Sequence, residues 1–112
     1  MFFEINPFNI DQRLISEAVK ALRSGGLVIF PTDSVYAIGC DLNHKKALHQ
    51  LAKFKKEKLS KVHFSILCKD ITELASHTKH LNKPTFKLRK QCLPGPYTFI
   101  LSANTRIPKL FK

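Results

Sequence analysis

The sequence predicts an α/β domain, and three observations carry that prediction. Helical and strand-like periodicities alternate along the chain, the breaks between them fall at Gly or Pro, and 44% of the 112 residues are hydrophobic. Such a content is enough for one domain with a modest core, so disorder is not the default.

The first element lies in NIDQRLISEAVKALRSGG, where Leu14, Ile15, Ala18, Val19 and Leu22 recur at three- and four-residue spacing. Asp11 or Asn9 offers an N-cap and Gly25 a C-terminal stop, which together predict an amphipathic helix. LVIF, 27–30, is a short β-favouring run bounded by Gly25-Gly26 and Pro31, and VYAIGCDL offers a second short strand. LNHKKALHQLAKF returns to helical period through Ala47, Leu48, Leu51 and Ala52. HFSILC, 63–68, then reads as a strand, followed by a helix over roughly 71–80 and another with Pro84 in its first turn, running towards Arg89. Pro94-Gly95-Pro96 forces a turn, after which residues 97–101 are aromatic and β-branched enough to be a strand. No internal repeat or linker interrupts the chain, which predicts a single domain over 1–112. Its last stretch, IPKLFK, is apolar and lacks a closing element, so the domain is expected to be incomplete, its N-terminal portion only.

Charge narrows the function classes. Nineteen Lys and Arg face eight Asp and Glu, a formal +11, and no acid follows Glu73 while eight basic residues do. That field favours polyanions: nucleic acid, nucleotide phosphates or an anionic membrane surface. No apolar run reaches the roughly 20 residues of a membrane span, and MFFEINPFNIDQR lacks the cationic-then-apolar order of a signal peptide. A cytoplasmic protein without a membrane partner is the expectation. Cys40, Cys68 and Cys92 are odd in number and outside any CxxC spacing, so free thiols in a reducing compartment are expected.

Three groups of residues carry chemistry. KFKKEKLSK crowds Lys53, Lys55, Lys56, Lys58 and Lys61 around one acid, Glu57. Composition alone reads this as a solvated loop; its place between a helix and a strand suits a phosphate-binding loop, although Lys without Arg offers no bidentate fork. FPTDSVYAIG sets the hydroxyls of Thr32 and Ser34, the Asp33 carboxylate and the Tyr36 phenol beyond a strand, where open α/β sheets place their sites. Thr-Asp-Ser is equally a common turn sequence. Among the histidines, His44 and His49 read as surface residues, and His63, opening a strand beside the lysines, is a site candidate. His77 and His80 could pair on a helix, but without a third ligand no metal site is expected. Ser102-Ala103-Asn104 is most simply a turn. GxGxxG, GxxxxGK[ST] and GxSxG are absent.

GGLVIFPTDSVYAIGCDL, the lysine cluster leading into HFSILCKD, and LPGPYTFIL, in this order and at these separations, resemble the YrdC/YciO family, the threonylcarbamoyl-AMP synthase superfamily. The likeness covers about residues 16–108, and Asp33-Ser34, Cys40 and GPYTF resemble its YciO branch most. It implies a twisted open mixed sheet with helices around a basic groove. It also implies condensation of L-threonine, bicarbonate and ATP, the last with Mg2+, into threonylcarbamoyl-AMP and pyrophosphate, for modification of adenosine 37 in tRNA. No tightly bound cofactor is implied. By resemblance Thr32, Tyr36 and His63 fall on the threonine side, and Lys55, Lys56, Lys58 and Thr98 on the ATP and phosphate side. The family's KxRP motif is altered here, Glu57 standing at the Arg and Lys58 at the Pro. A non-synthase relative that binds double-stranded RNA or tRNA is the alternative the same resemblance implies.

Overall fold

The structure, a computed structural model, describes residues 1–80 and 82–108. It contains α1 (Gln12–Arg23), β1 (Val28–Phe30), β2 (Ala37–Gly39), α2 (Lys45–Phe54), α3 (Ile71–His77) and α4 (Lys83–Cys92), an α/β order. Two compact units divide the chain. One comprises Met1–Thr32 with Tyr36–Glu57; the other comprises Asp33–Val35 with the described residues from Lys58 onward.

In the first unit, Asp11 is the N-cap of α1, its carboxylate accepting the Arg13 N–H at 2.9 Å. The helix closes in a Schellman motif: the Gly25 N–H donates to the Leu22 carbonyl at 3.0 Å and the Gly26 N–H to Ala21 at 2.8 Å. Gly25 supplies the left-handed residue, with φ 85°, and the His44 imidazole lies where a Cβ would project. α1 packs on β1, which pairs antiparallel with β2 in the register Val28↔Gly39, Ile29↔Ile38, Phe30↔Ala37. PTDSVY is therefore the loop of a β-hairpin, not the exit from a parallel strand. α2 buries Ala47, Leu48, Leu51 and Ala52, the periodic set read from the sequence. His44, expected on the surface, is half-buried as its N-cap.

In the second unit, α3 begins at Asp70, whose side chain accepts the Glu73 N–H at 2.8 Å while Glu73 accepts the Lys69 N–H at 2.6 Å. It stops at His77 rather than near His80, because Thr78 turns extended and bridges antiparallel to Ala103. Asn104 secures that junction: its side-chain amide donates to the Ser76 carbonyl at 2.6 Å and its backbone N–H donates to His77 at 3.0 Å. Ser102-Ala103-Asn104 is thus the end of an extended segment, and the turn follows it at 105–107. α4 is capped by Asn82, which accepts the Thr85 N–H at 2.9 Å, and carries Pro84 in its first turn as expected.

The strands expected at 63–68 and 97–101 are not part of a sheet among the described residues. Their β-favouring composition is intact, but a ladder also needs consecutive backbone pairs in register with a partner strand. Val62 and Ile107 are the buried apolar residues of this unit among those described, and Arg89 of the same unit is fully buried.

Candidate functional site

The hairpin loop presents Thr32 and Tyr36 at its two ends, both exposed, Tyr36 at 74%. Thr32, Ser34 and Val35 all have interaction partners, so the loop is held rather than free. A two-residue turn would join such strands most simply. The six residues 31–36 used here include Pro31, two hydroxyls and the phenol, all exposed.

The lysine run is not an unstructured loop. Lys55 is the C-cap of α2, the Lys56 N–H donates to the Lys53 carbonyl at 2.9 Å, and the Glu57 N–H donates to Ala52 at 3.1 Å. This is the same motif that ends α1, but the left-handed position is Lys56, with φ 56°, instead of a glycine. An L-residue there costs on the order of 1–2 kcal/mol. Lys53, Lys55 and Lys56 are exposed around a helix C-terminus, whose outward carbonyls favour cations.

Lys58 belongs to the second unit and accepts, through its carbonyl, the N–H groups of Lys61 at 2.8 Å and Val62 at 3.1 Å. His63 and Thr98 are exposed in segments 63–68 and 97–101 of that unit. The seven residues singled out from the sequence are all at the surface, Thr32, Tyr36, Lys55 and Lys56 in one unit and Lys58, His63 and Thr98 in the other.

Two features escaped the sequence. Arg89 is wholly inaccessible, its guanidinium 5.6 Å from the Phe86 ring centroid, and its Nε, Nη1 and Nη2 have no hydrogen-bond partner among the described residues. Its helical spacing to Thr85 and Cys92, both half-buried, was the signal that it faces inward. An open cleft of about 590 Å3, lined by Ala75, Thr78, Lys79, His80, Phe86 and Asn104, lies in the same unit. With α3 ended at His77, His77 and His80 no longer share a helix face, and no cluster of three potential metal ligands occurs among the described residues.

The thiols are free and half-buried. Burial, then Asp41, raises the Cys40 pKa above its ordinary 9.0; burial, then Glu73 and Asp70, raises that of Cys68. Neither is an activated nucleophile. No described helix is long and apolar enough to cross a membrane.

The class is an α/β protein with a decorated hairpin loop and a lysine-bearing helix end. The particular family follows from comparison: the Sua5/YciO/YrdC model, described as telomere recombination, matches residues 20–112, and the chain belongs to that family. It is 38% identical over 109 residues to the uncharacterized protein YciO of Escherichia coli, covering 96% of this chain and 52% of that protein. An uncharacterized protein of Haemophilus influenzae is 39% identical at similar coverage, 96% and 51%. A threonylcarbamoyl-AMP synthase of Nitrosococcus oceani is 31% identical over 91 residues, 81% of this chain and 49% of that enzyme. The crystal structure of E. coli YciO superimposes with a TM-score of 0.87 at 37% identity, over 97% of this chain and 52% of that one. The chain spans about half the length of the relatives it matches.

Proposed function

We propose that this chain contributes the cation-rich part of a site for ATP, carried with its Mg2+, and for L-threonine and bicarbonate, in a threonylcarbamoyl-AMP synthase-type reaction. In that reaction the oxygen of a threonine-derived carbamate attacks the α-phosphorus of ATP, the bond to the β-phosphate oxygen breaks, and pyrophosphate leaves with the electron pair. Two anions must meet, so cations have to offset their repulsion. In the first unit Lys55 and Lys56 would serve the phosphates and Thr32 and Tyr36 the amino acid; in the second, Lys58 and Thr98 would serve the nucleotide and His63 the amino acid.

The observation that carries the reading is the left-handed backbone of Lys56. A glycine there would avoid the steric cost, and strain of this kind is kept where a side chain is needed. The relationship to threonylcarbamoyl-AMP synthases gives the chemistry its class. Glu57 favours a second reading, a non-synthase RNA-binding relative, because an anion stands where the family pattern has Arg while the net charge remains +11.

Titration of the chain with Mg-ATP tests the first reading. Binding is expected to weaken about tenfold or more when Lys55 and Lys56 are both replaced by Ala, in line with loss of charge-assisted phosphate contacts. Glu57→Arg should strengthen it. Absence of binding at millimolar ATP, or binding indifferent to the lysines, sinks the reading. Duplex RNA binding whose affinity falls steeply with salt supports the second. Pyrophosphate release from ATP, threonine and bicarbonate distinguishes catalysis from binding alone.

A further inference from the structure

Arg89 leaves a charge unbalanced. It is completely buried on α4, yet its three guanidinium nitrogens have no hydrogen-bond partner among the described residues. Neither ion pair there, Arg13 with Asp11 or Lys20 with Glu17, includes it. An arginine cannot shed its charge as a buried lysine can. A buried cation without a counter-charge lowers stability, and an apolar side chain of similar volume would serve the core better.

The surroundings of Arg89 are cationic as well. Its guanidinium lies 5.6 Å from the Phe86 ring centroid, and Lys90 Nζ lies 5.4 Å from the same centroid. Phe86 in turn lines the open cleft of about 590 Å3, with Ala75, Thr78, Lys79, His80 and Asn104. Arg89 is therefore one side chain away from that cleft. No carboxylate lines it, and the sequence has no acid after Glu73. Asp70 and Glu73 are engaged at the start of α3, accepting the Glu73 and Lys69 N–H groups. Cations of one sign behind a low-dielectric wall concentrate their field in the space they border.

The cleft has both kinds of lining that a small organic anion needs, and its volume falls within the roughly 300–1,000 Å3 of small-molecule sites. Ala75 and the Phe86 ring are apolar, while Lys79 and His80 are exposed cation and imidazole. The Asn104 amide is already spent on the Ser76 and Thr78 carbonyls. We propose that this cleft binds an organic anion, a carboxylate or phosphate head on an apolar body. Lys79 and His80 hold the head, Ala75 and Phe86 cover the body, and Arg89 supplies the counter-charge from behind. Because Arg89 is closed to solvent, it acts through its field, which salt screens little. None of these residues is assigned to the nucleotide reading, so the two stand or fall separately.

The test follows the unfolding midpoint of the 112-residue chain at constant ionic strength with benzoate, phenyl phosphate, inorganic phosphate or benzyl alcohol. Benzoate and phenyl phosphate should raise it with the logarithmic concentration dependence of a native-state ligand. No rise with either overturns the proposal. An equal effect of inorganic phosphate or of benzyl alcohol also overturns it, reducing the site to charge or to apolar contact alone. Lys79→Ala, an exposed change, and Arg89→Met should each weaken binding about tenfold, the loss of one charge interaction at intermediate dielectric. Lys45→Ala, on α2, should leave it unchanged. Arg89→Met should also raise the midpoint without any added anion, because it removes an uncompensated buried charge. A less stable Arg89→Met makes the arginine a structural residue and overturns its role. Amide shifts on benzoate titration should gather at Ala75, Thr78 and Lys79; shifts centred elsewhere, or binding indifferent to Lys79 and Arg89, overturn the site.

Discussion

Gly25 and Lys56 occupy equivalent positions in two Schellman motifs, and the difference between them is measurable. Lys56→Gly removes the left-handed penalty, on the order of 1–2 kcal/mol, and adds roughly 0.5–1 kcal/mol of chain entropy cost. A net stabilisation of about 0.5 kcal/mol in urea unfolding is expected. Gly25→Ala runs the other way, a loss of at least about 1 kcal/mol from backbone strain, with the His44 ring in the path of the new Cβ. The thiols give a pH prediction. Because folding raises the Cys40 and Cys68 pKa values, their contribution to stability is fully present below the ordinary value of 9.0 and is lost as pH rises through the raised values. Unfolding midpoints should therefore fall above pH 9, and alkylation of the native chain by iodoacetamide should lag behind that of a model thiol until the same range. A midpoint that does not change up to pH 10.5 would contradict this.

Among the elements, the helices were legible because local chemistry specifies them. Asp11, Asp70 and Asn82 each accept an N–H of the first turn they open, and Gly25 closes α1. Asn82→Ala is expected to cost about 1 kcal/mol and to lower helicity in far-ultraviolet circular dichroism. The short strands β1 and β2 were legible as apolar runs, but their antiparallel pairing was not. A six-residue connection carries no two-residue turn signature of the Asn-Gly kind. The segments 63–68 and 97–101 were read as strands from composition, and composition is silent about whether a neighbour exists. Asn104 was misread for a related reason: its partners at Ser76 and Thr78 lie 28 and 26 residues away. The candidate site was legible as residue types and surface positions, whereas the helix-end geometry of Lys55 and Lys56 emerged only with the hydrogen bonds of 52–57. Arg89 stayed hidden because a lone Arg in a basic helix reads as solvated.

For the whole molecule, charge is the dominant property. At +11, electrostatic repulsion between copies is long-ranged at low salt, with a screening length of about 30 Å at 0.01 M, and is nearly gone at 1 M, where it is about 3 Å. Static light scattering should therefore report monomers in dilute buffer and growing particles as sodium chloride is raised. Salt-independent scattering would show that charge is not what separates the copies. The β-favouring segments 63–68 and 97–101 give this a practical side. Unprotected strand edges are templates for indiscriminate pairing, and many proteins guard them with a charged residue within the edge. Here residues 63–68 and 97–101 contain no Asp, Glu, Lys or Arg. The guard is the colloidal repulsion of the entire chain, so a polyanion that neutralises the lysines would also remove what keeps such apolar segments of different copies from meeting.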